Sequence, residues 1–424
     1  MRDFTVWLLA TLGCESNCES GLVRVESVPE SLRDKLGCEA TLRLDLSGAN
    51  AADSDFAVTP DSQFFRSLIK ELVTRFGVAR AVPASQPESV REVSQRLFNA
   101  YTVEGGSVHL GGCTLEDRAI LRVTYLEKCD TADNTGRLSH HFIDLTGESI
   151  SAELVNRLGL TQLVPPTRSI RVTDDQSNRW QSVGEAALDR LHPDSNVESL
   201  LTTVVWCKYT EGKLSFVIGD ATASIAFSGW AQLFVDGTEK PPALTCPSHL
   251  QGSHHLAATD DGQIVPVEAI AICSESGKRV LTRELESCHV TMTKALPEFF
   301  ATCPASGDRV LRRTLVACAT CQQLVSPTSC ESLRCRGCRS LAKVSKDDPR
   351  MARLLGEYPK LDNWPRWKLA ETTAAYVVVA SSLTKRLLIV VDKHDLGVLR
   401  LAKGSQFTNK WTEASEVDRT AYLQ

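Results

Sequence analysis

Cysteine recurs in this chain with a fixed period: Cys273, Cys288, Cys303 and Cys318 follow one another at intervals of 15 residues. The segments opened by the first three read CSESGKRVLTRELES, CHVTMTKALPEFFAT and CPASGDRVLRRTLVA. Each carries Ser or Thr three residues after its cysteine (Ser276, Thr291, Ser306). A leucine follows (Leu281, Leu296, Leu311), then an apolar residue four positions on (Leu285, Phe300, Leu315). A unit this short does not bury its own apolar face, so neighbouring copies must stack. Leu281, Leu296 and Leu311 are expected to line a shared, thin core.

The period ends in a denser pattern. Cys318-Ala319-Thr320-Cys321 is followed after 13 residues by Cys335-Arg336-Gly337-Cys338, a C-x2-C, x13, C-x2-C arrangement. Two cysteines three apart can grip one metal ion from a tight turn, and a second such pair completes a tetrahedral thiolate shell. Buried free thiols and a redox pair are the other readings of this spacing. The segment resembles the zinc-ribbon family of metal knuckles, and the resemblance spans residues 318–338 alone. It implies a zinc ion held by Cys318, Cys321, Cys335 and Cys338, with Gly337 permitting the close turn. Four thiolates leave no open coordination position, so such a zinc is structural and does not activate water. Cys330, inside the gap, is either a spare ligand or a spectator.

Cys321 occupies the place that Ser276, Thr291 and Ser306 hold in the earlier copies. The region is therefore expected to be a string of knuckle-plus-hairpin units in which the second thiol survives in the last copy. Cys246-Pro247-Ser248-His249 supplies a C-x2-H pair that fits a first copy. A second zinc site would take Cys246, His249, Cys273 and Cys288, with His254 or His255 as substitutes. The alternative makes Cys273, Cys288 and Cys303 small buried apolar residues of a degenerate repeat.

Nine of the 15 cysteines fall between Cys246 and Cys338, and the other six are dispersed without a pairing signal. Clustered thiols of this kind suit a reducing, cytoplasmic setting. The apolar run at residues 4–14 is too short in its core, Val6 to Leu9, for an export signal, and Asp3 sits beside Arg2; a buried strand is expected there. No apolar stretch reaches the roughly 18 to 20 residues of a membrane-crossing helix, so no membrane partner is expected. Charge is uneven: residues 1–272 carry -13, residues 273–346 carry +6 and residues 347–424 carry +2. A basic cysteine-rich segment suggests contact with phosphates through Arg309, Arg312, Arg313, Arg334, Arg336, Arg339, Lys343 and Lys346, or with the acidic part of its own chain. Aromatic residues for base stacking are not interleaved with these cations.

These features describe an α+β multidomain chain. An acidic α+β body is expected at 1–165, with a β-rich extension at 166–240, a zinc-knuckle and β-hairpin repeat array at 241–342, and a small C-terminal antiparallel α+β unit at 343–424. Helices are expected at 64–76, capped from Thr59 and Pro60 and stopped by Gly77, then after Pro87, at 149–158, at 183–191, and from Pro349 to about Glu357. Strands are expected at 107–110 and 119–126 around a turn at Gly111-Gly112, and at 200–208 and 213–219 around a turn at 209–212. Further strands are expected at 221–227, 374–380, 386–391 and 398–402. Trp364 and Trp367 read as packing residues.

No phosphate loop, dinucleotide fingerprint, H-E-x-x-H or G-x-S-x-G motif is present. An enzyme would need Cys113, Asp117, His140 (beside His141) and Asp144, all within residues 100–160, to converge on one cleft. The sequence thus favours a zinc-stabilised scaffold with a protein partner and no catalytic residues; a nucleic-acid-associated factor is the alternative, and an enzyme of unknown class the second.

Overall fold

The apolar run at the N-terminus is a helix, not the expected strand. In the computed structural model, which describes residues 1–19, 22–46, 54–127, 136–168, 170–193, 197–246, 249–408 and 410–423, Arg2–Thr11 is α-helical and buries Phe4, Trp7, Leu8 and Leu9. Their three- and four-residue spacing puts them on one helical face, which a run this short does not separate from a strand by hydrophobicity alone. The chain divides into two compact units, both mixing helices with strands: Met1–Thr245 with Gly252–Ala257, and Cys246–Gln251 with Ala258–Gln424.

The first unit is organised by two antiparallel strands of 22 residues each, Gly106–Glu127 and Val197–Ile218, in a six-stranded sheet. Each replaces a pair of shorter strands and an expected turn. Gly111 is instead a bulge, since Gly112 faces Lys213 while Leu110 faces Leu214. The polar stretch from Tyr209 to Gly212 stays extended because Ala221–Trp230 pairs with it on one side and Gly106–Glu127 on the other. A ladder on both edges outweighs local turn preference.

Side chains alternate across this sheet. Ile120, Phe142, Leu201 and Val205 pack with the N-terminal helix and with helix Gln63–Phe76. Leu121, Val123, Ile143 and Val204 pack against Trp180, Ala187 and Leu188 of helix Asp174–Leu191. That helix starts nine residues before its expected position because Thr173 and Gln176 form a capping box. Helix Gln63–Phe76 is capped by Ser62, whose hydroxyl accepts from the Phe65 N–H at 3.3 Å, rather than from Thr59, and ends at Gly77. Ser89 and Ser151 cap helices Val90–Asn99 and Ala152–Arg157 in the same way.

In the second unit the period has a structural meaning. Strands Ile270–Ile272 and Arg279–Leu281 pair around the turn at Cys273, and Phe300–Thr302 and Arg309–Leu311 do the same around Cys303. Shorter hairpins surround Cys288 and Cys318. In every copy the residue four after the cysteine returns its N–H to the cysteine carbonyl at 2.8 Å. That residue adopts left-handed backbone: Gly277 (φ 72°), Met292 (58°), Gly307 (82°), Gln322 (61°). Each hairpin leads into a single 3-10 turn, at Thr282–Glu284, Pro297–Phe299, Arg312–Thr314 and Pro327–Ser329.

A further copy lies upstream, at residues 258–272, where Ala258 replaces the cysteine. It retains the left-handed glycine, Gly262 (φ 85°), a strand at Ile264–Pro266 and a 3-10 turn at Val267–Ala269. The Cys246 to His249 segment is itself a short strand pair region, but Pro247 and Ser248, and the His249 side chain, lie outside the described residues.

The array is followed by a six-stranded antiparallel meander of Ala342–Val344, Arg366–Glu371, Ala375–Ser381, Lys385–Asp392, Val398–Ser405 and Trp411–Glu413. Three of these strands match the expected ones to within a few residues. One face presents Val378, Leu387, Ile389 and Leu401 to Met351 and Leu354 of helix Pro349–Glu357 and to Trp364 and Trp367. The other presents Ala370, Val377, Val379, Leu388, Val390 and Ala402 to the cysteines of the last two copies.

The left-handed position offers a direct check. A Cβ added at Gly277 meets nothing within 4 Å, so Gly277→Ala should cost only the conformational penalty, about 1 kcal/mol. Amide exchange at the Cys273 N–H should then quicken about fivefold, whereas Met292→Gly should slow exchange at the Cys288 N–H.

Candidate metal centre

Cys318, Cys321, Cys335 and Cys338 are all buried, and their sulfurs lie within 4.8 Å of one another. Cys321 Sγ and Cys335 Sγ are 3.8 Å apart. A tetrahedral shell with Zn–S of about 2.3 Å requires sulfurs about 3.8 Å apart, so the cluster has the dimensions of such a site. Four cysteines this close can hold a metal ion.

Local structure explains how the sulfurs converge. The first pair sits in the turn between strands Val316–Ala317 and Leu324–Val325. The second follows the tight hairpin of Cys330–Glu331 and Arg334–Cys335 and enters the single helical turn Arg336–Arg339. The Cys335 N–H donates to Cys318 Sγ at 3.3 Å, and the Cys338 N–H donates to Cys335 Sγ at 3.4 Å. These bonds favour thiolate over thiol. Cys330 lies outside the four-sulfur group.

Without a cation the cluster resists full ionisation. The neighbouring thiols of Cys321, Cys335 and Cys338 hold Cys318 well below the ordinary thiol range, while Cys338 is pushed far above it by Cys318, Cys321 and Cys335. One negative sulfur thus opposes the next. A divalent cation at the centre removes that opposition. With all four positions taken by protein sulfur, the site is suited to holding structure and not to activating water.

The centre is roofed by the C-terminal sheet. Buried Arg400, paired with Glu413 through its Nε at 2.8 Å, also donates to the carbonyl of Thr320 between the first two cysteines. Gly337 needs no left-handed backbone; it is required by proximity, since an added Cβ would lie 2.5 Å from Cγ2 of Thr372.

The earlier cysteines use their sulfurs differently. Cys273, Cys288 and Cys303 accept the N–H groups of Leu296, Leu311 and Ser326, each 23 residues ahead, at 3.4, 3.4 and 3.1 Å. Burial alone would push the Cys288 thiol up. The Thr291 hydroxyl and the N–H groups of Leu311, Thr291 and Val290 outweigh it and bring the thiol down to about 7. Cys273 and Cys288 pack with Ala295, Phe300, Val310 and Leu311, whereas Cys246 packs with Val265, Ala269 and Leu281. Among the described residues, the four-cysteine group is the one cluster of three or more ligand-type side chains. His254 Nε2 donates to the Pro241 carbonyl (2.8 Å) and His255 meets Glu104 at 3.2 Å.

The residues considered for catalysis do not meet. Cys113 bonds the Thr210 hydroxyl at 3.2 Å and lines a cleft with Glu211 and Lys213; Asp117 pairs with Lys208 at 2.8 Å. His140 lines a different cavity, and Asp144 accepts from the Thr146 and Glu148 N–H groups of its own turn. Several of the basic residues are neutralised within the second unit: Arg309 by Glu286, Arg313 by Glu275, Arg339 by Glu331 and Lys346 by Asp362. Comparison with protein-family models, curated proteins and solved structures finds no match.

The contact at Gly337 predicts that Gly337→Ala lowers stability by about 1 to 3 kcal/mol through overpacking. Adding Thr372→Ser should restore much of the loss in thermal unfolding, because it removes the methyl group in the way.

Proposed function

We propose that the second unit is a zinc-anchored protein-interaction module of a cytoplasmic protein, with one structural zinc held by Cys318, Cys321, Cys335 and Cys338. The observation that carries this reading is the convergence of four buried sulfurs within 4.8 Å of one another. Zinc is favoured over other divalent ions by an all-thiolate tetrahedral set. Cys273, Cys288 and Cys303 are read as hydrogen-bonded knuckles without metal, in which a hydroxyl and an N–H do the stabilising of the thiolate.

An interaction role is supported by the apolar side chains that the array leaves in water. Ile272, Met292, Leu324 and Leu333 are 67%, 75%, 56% and 73% exposed. Phosphate contact is disfavoured by the internal ion pairs of Arg309, Arg313 and Arg339. No helix among the described residues is long and apolar enough to cross a membrane.

Metal analysis of the purified protein should return one zinc per chain, and Cys318→Ser should reduce this to near zero and loosen residues 303–340 to protease. A metal-free native protein would sink the reading, and two zinc ions would restore the second site at Cys246, His249, Cys273 and Cys288. Binding to a DNA or RNA oligomer should be weak at 150 mM salt; tight binding that falls steeply with salt would favour the nucleic-acid alternative.

A further inference from the structure

Arg122 lies in the middle of the apolar run AILRVTYL, on the central strand Gly106–Glu127. It is 4% exposed. Its guanidinium sits 4.5 Å from the Trp7 ring and 5.0 Å from the Phe4 ring, and Nη2 donates to the Thr203 hydroxyl at 3.3 Å. Among the described residues no carboxylate pairs with it, and its Nε has no acceptor. Burial lowers its pKa to about 9. A cation withdrawn from water is retained at considerable cost unless an anion meets it.

Both Trp7 and Arg122 line a cavity of about 950 Å³ within the first unit. Arg2 and Arg137 also line it, against the single carboxylate of Asp3; His140 and His141 line it as neutral imidazoles, since burial lowers the pKa of both. The remaining wall includes Phe4, Leu138, Phe142, Val155 and Leu163. A buried guanidinium that no described carboxylate meets, a surplus of positive charge and an apolar lining call for a ligand with an anionic acceptor at one end and a hydrocarbon body at the other.

We propose that this cavity is a binding site for a small organic carboxylate, whose carboxylate pairs with the guanidinium of Arg122 while its aromatic or aliphatic body lies on Phe4, Leu138 and Phe142. The site is independent of the zinc centre, being built wholly from residues of the first unit. Phe4 and Trp7 come from the N-terminal helix, so occupancy ties that helix to the sheet.

The probe is 2-naphthoate, titrated calorimetrically into the full-length protein at neutral pH. Saturable one-site binding is expected, with 2-naphthalenemethanol, its uncharged counterpart, at least tenfold weaker. Arg122→Met keeps the length and removes the charge, and should weaken naphthoate at least tenfold without weakening the alcohol. If that variant folds poorly, Arg122→Gln serves, since it keeps a polar side chain beside Thr203 and removes the charge; affinity should fall several-fold. The proposal is overturned if naphthoate does not bind the native protein at millimolar concentration. It is also overturned if acid and alcohol bind alike, or if Arg122→Met or Arg122→Gln leaves naphthoate affinity unchanged.

Discussion

Sulfur accepting a backbone N–H is the contact on which the second unit depends. At Cys273, Cys288 and Cys303 the acceptor reaches 23 residues ahead, to the point where the following hairpin enters its 3-10 turn, and so fixes the stacking of one copy on the next. At Cys318 no further copy follows, and the N–H comes instead from Cys335, 17 residues on. The four-cysteine cluster therefore continues the same ladder with its terms changed: a thiol stands where a hydroxyl stood, and four sulfurs close on one another. What distinguishes the last copy is Cys321 in place of Ser276, Thr291 or Ser306.

The C-terminal sheet gives that end of the array its cover. Because strand side chains alternate, Val377 and Val379 serve the cysteine side while Tyr376 and Val378 serve the helical side. The small residues Ala370, Ala375 and Ala402 on the cysteine side let the two layers approach, and the clearance at Gly337 is part of the same fit. Arg400 crosses from the sheet to the Thr320 carbonyl, so the first knuckle is held by a charged donor as well as by packing.

The knuckle spacing and the hairpin period were legible because both are local: ligands three apart and units of fixed length leave their mark on the sequence itself. The copy beginning at Ala258 was not, since cysteine was the marker and it is missing there. Its surviving signals are Gly262 at the left-handed position and Val265 at the buried strand position, equivalent to Val280, Ala295, Val310 and Val325. The long strands were misread wherever Gly-Gly or Thr-Glu-Gly resembled a turn, because partners on both sides, supplied from far along the chain, overrule local chemistry. The N-terminal helix was missed for want of length. Arg122 carried a signal that went unused: a cation inside an otherwise apolar strand is costly to bury and asks what meets it.

Each copy of the array is specified by its own turn and by backbone contacts to the next copy, and the Arg313–Glu275 ion pair is the one reach past a neighbour described above. Length is then a free variable. A unit of 15 residues could be inserted or lost between Cys273 and Cys303 with the ladder rejoining in register, so that the distance from one end of the array to the four-cysteine end would change in whole steps while both ends kept their structure. Such a segment behaves as an adjustable spacer whose graduations are written in cysteine.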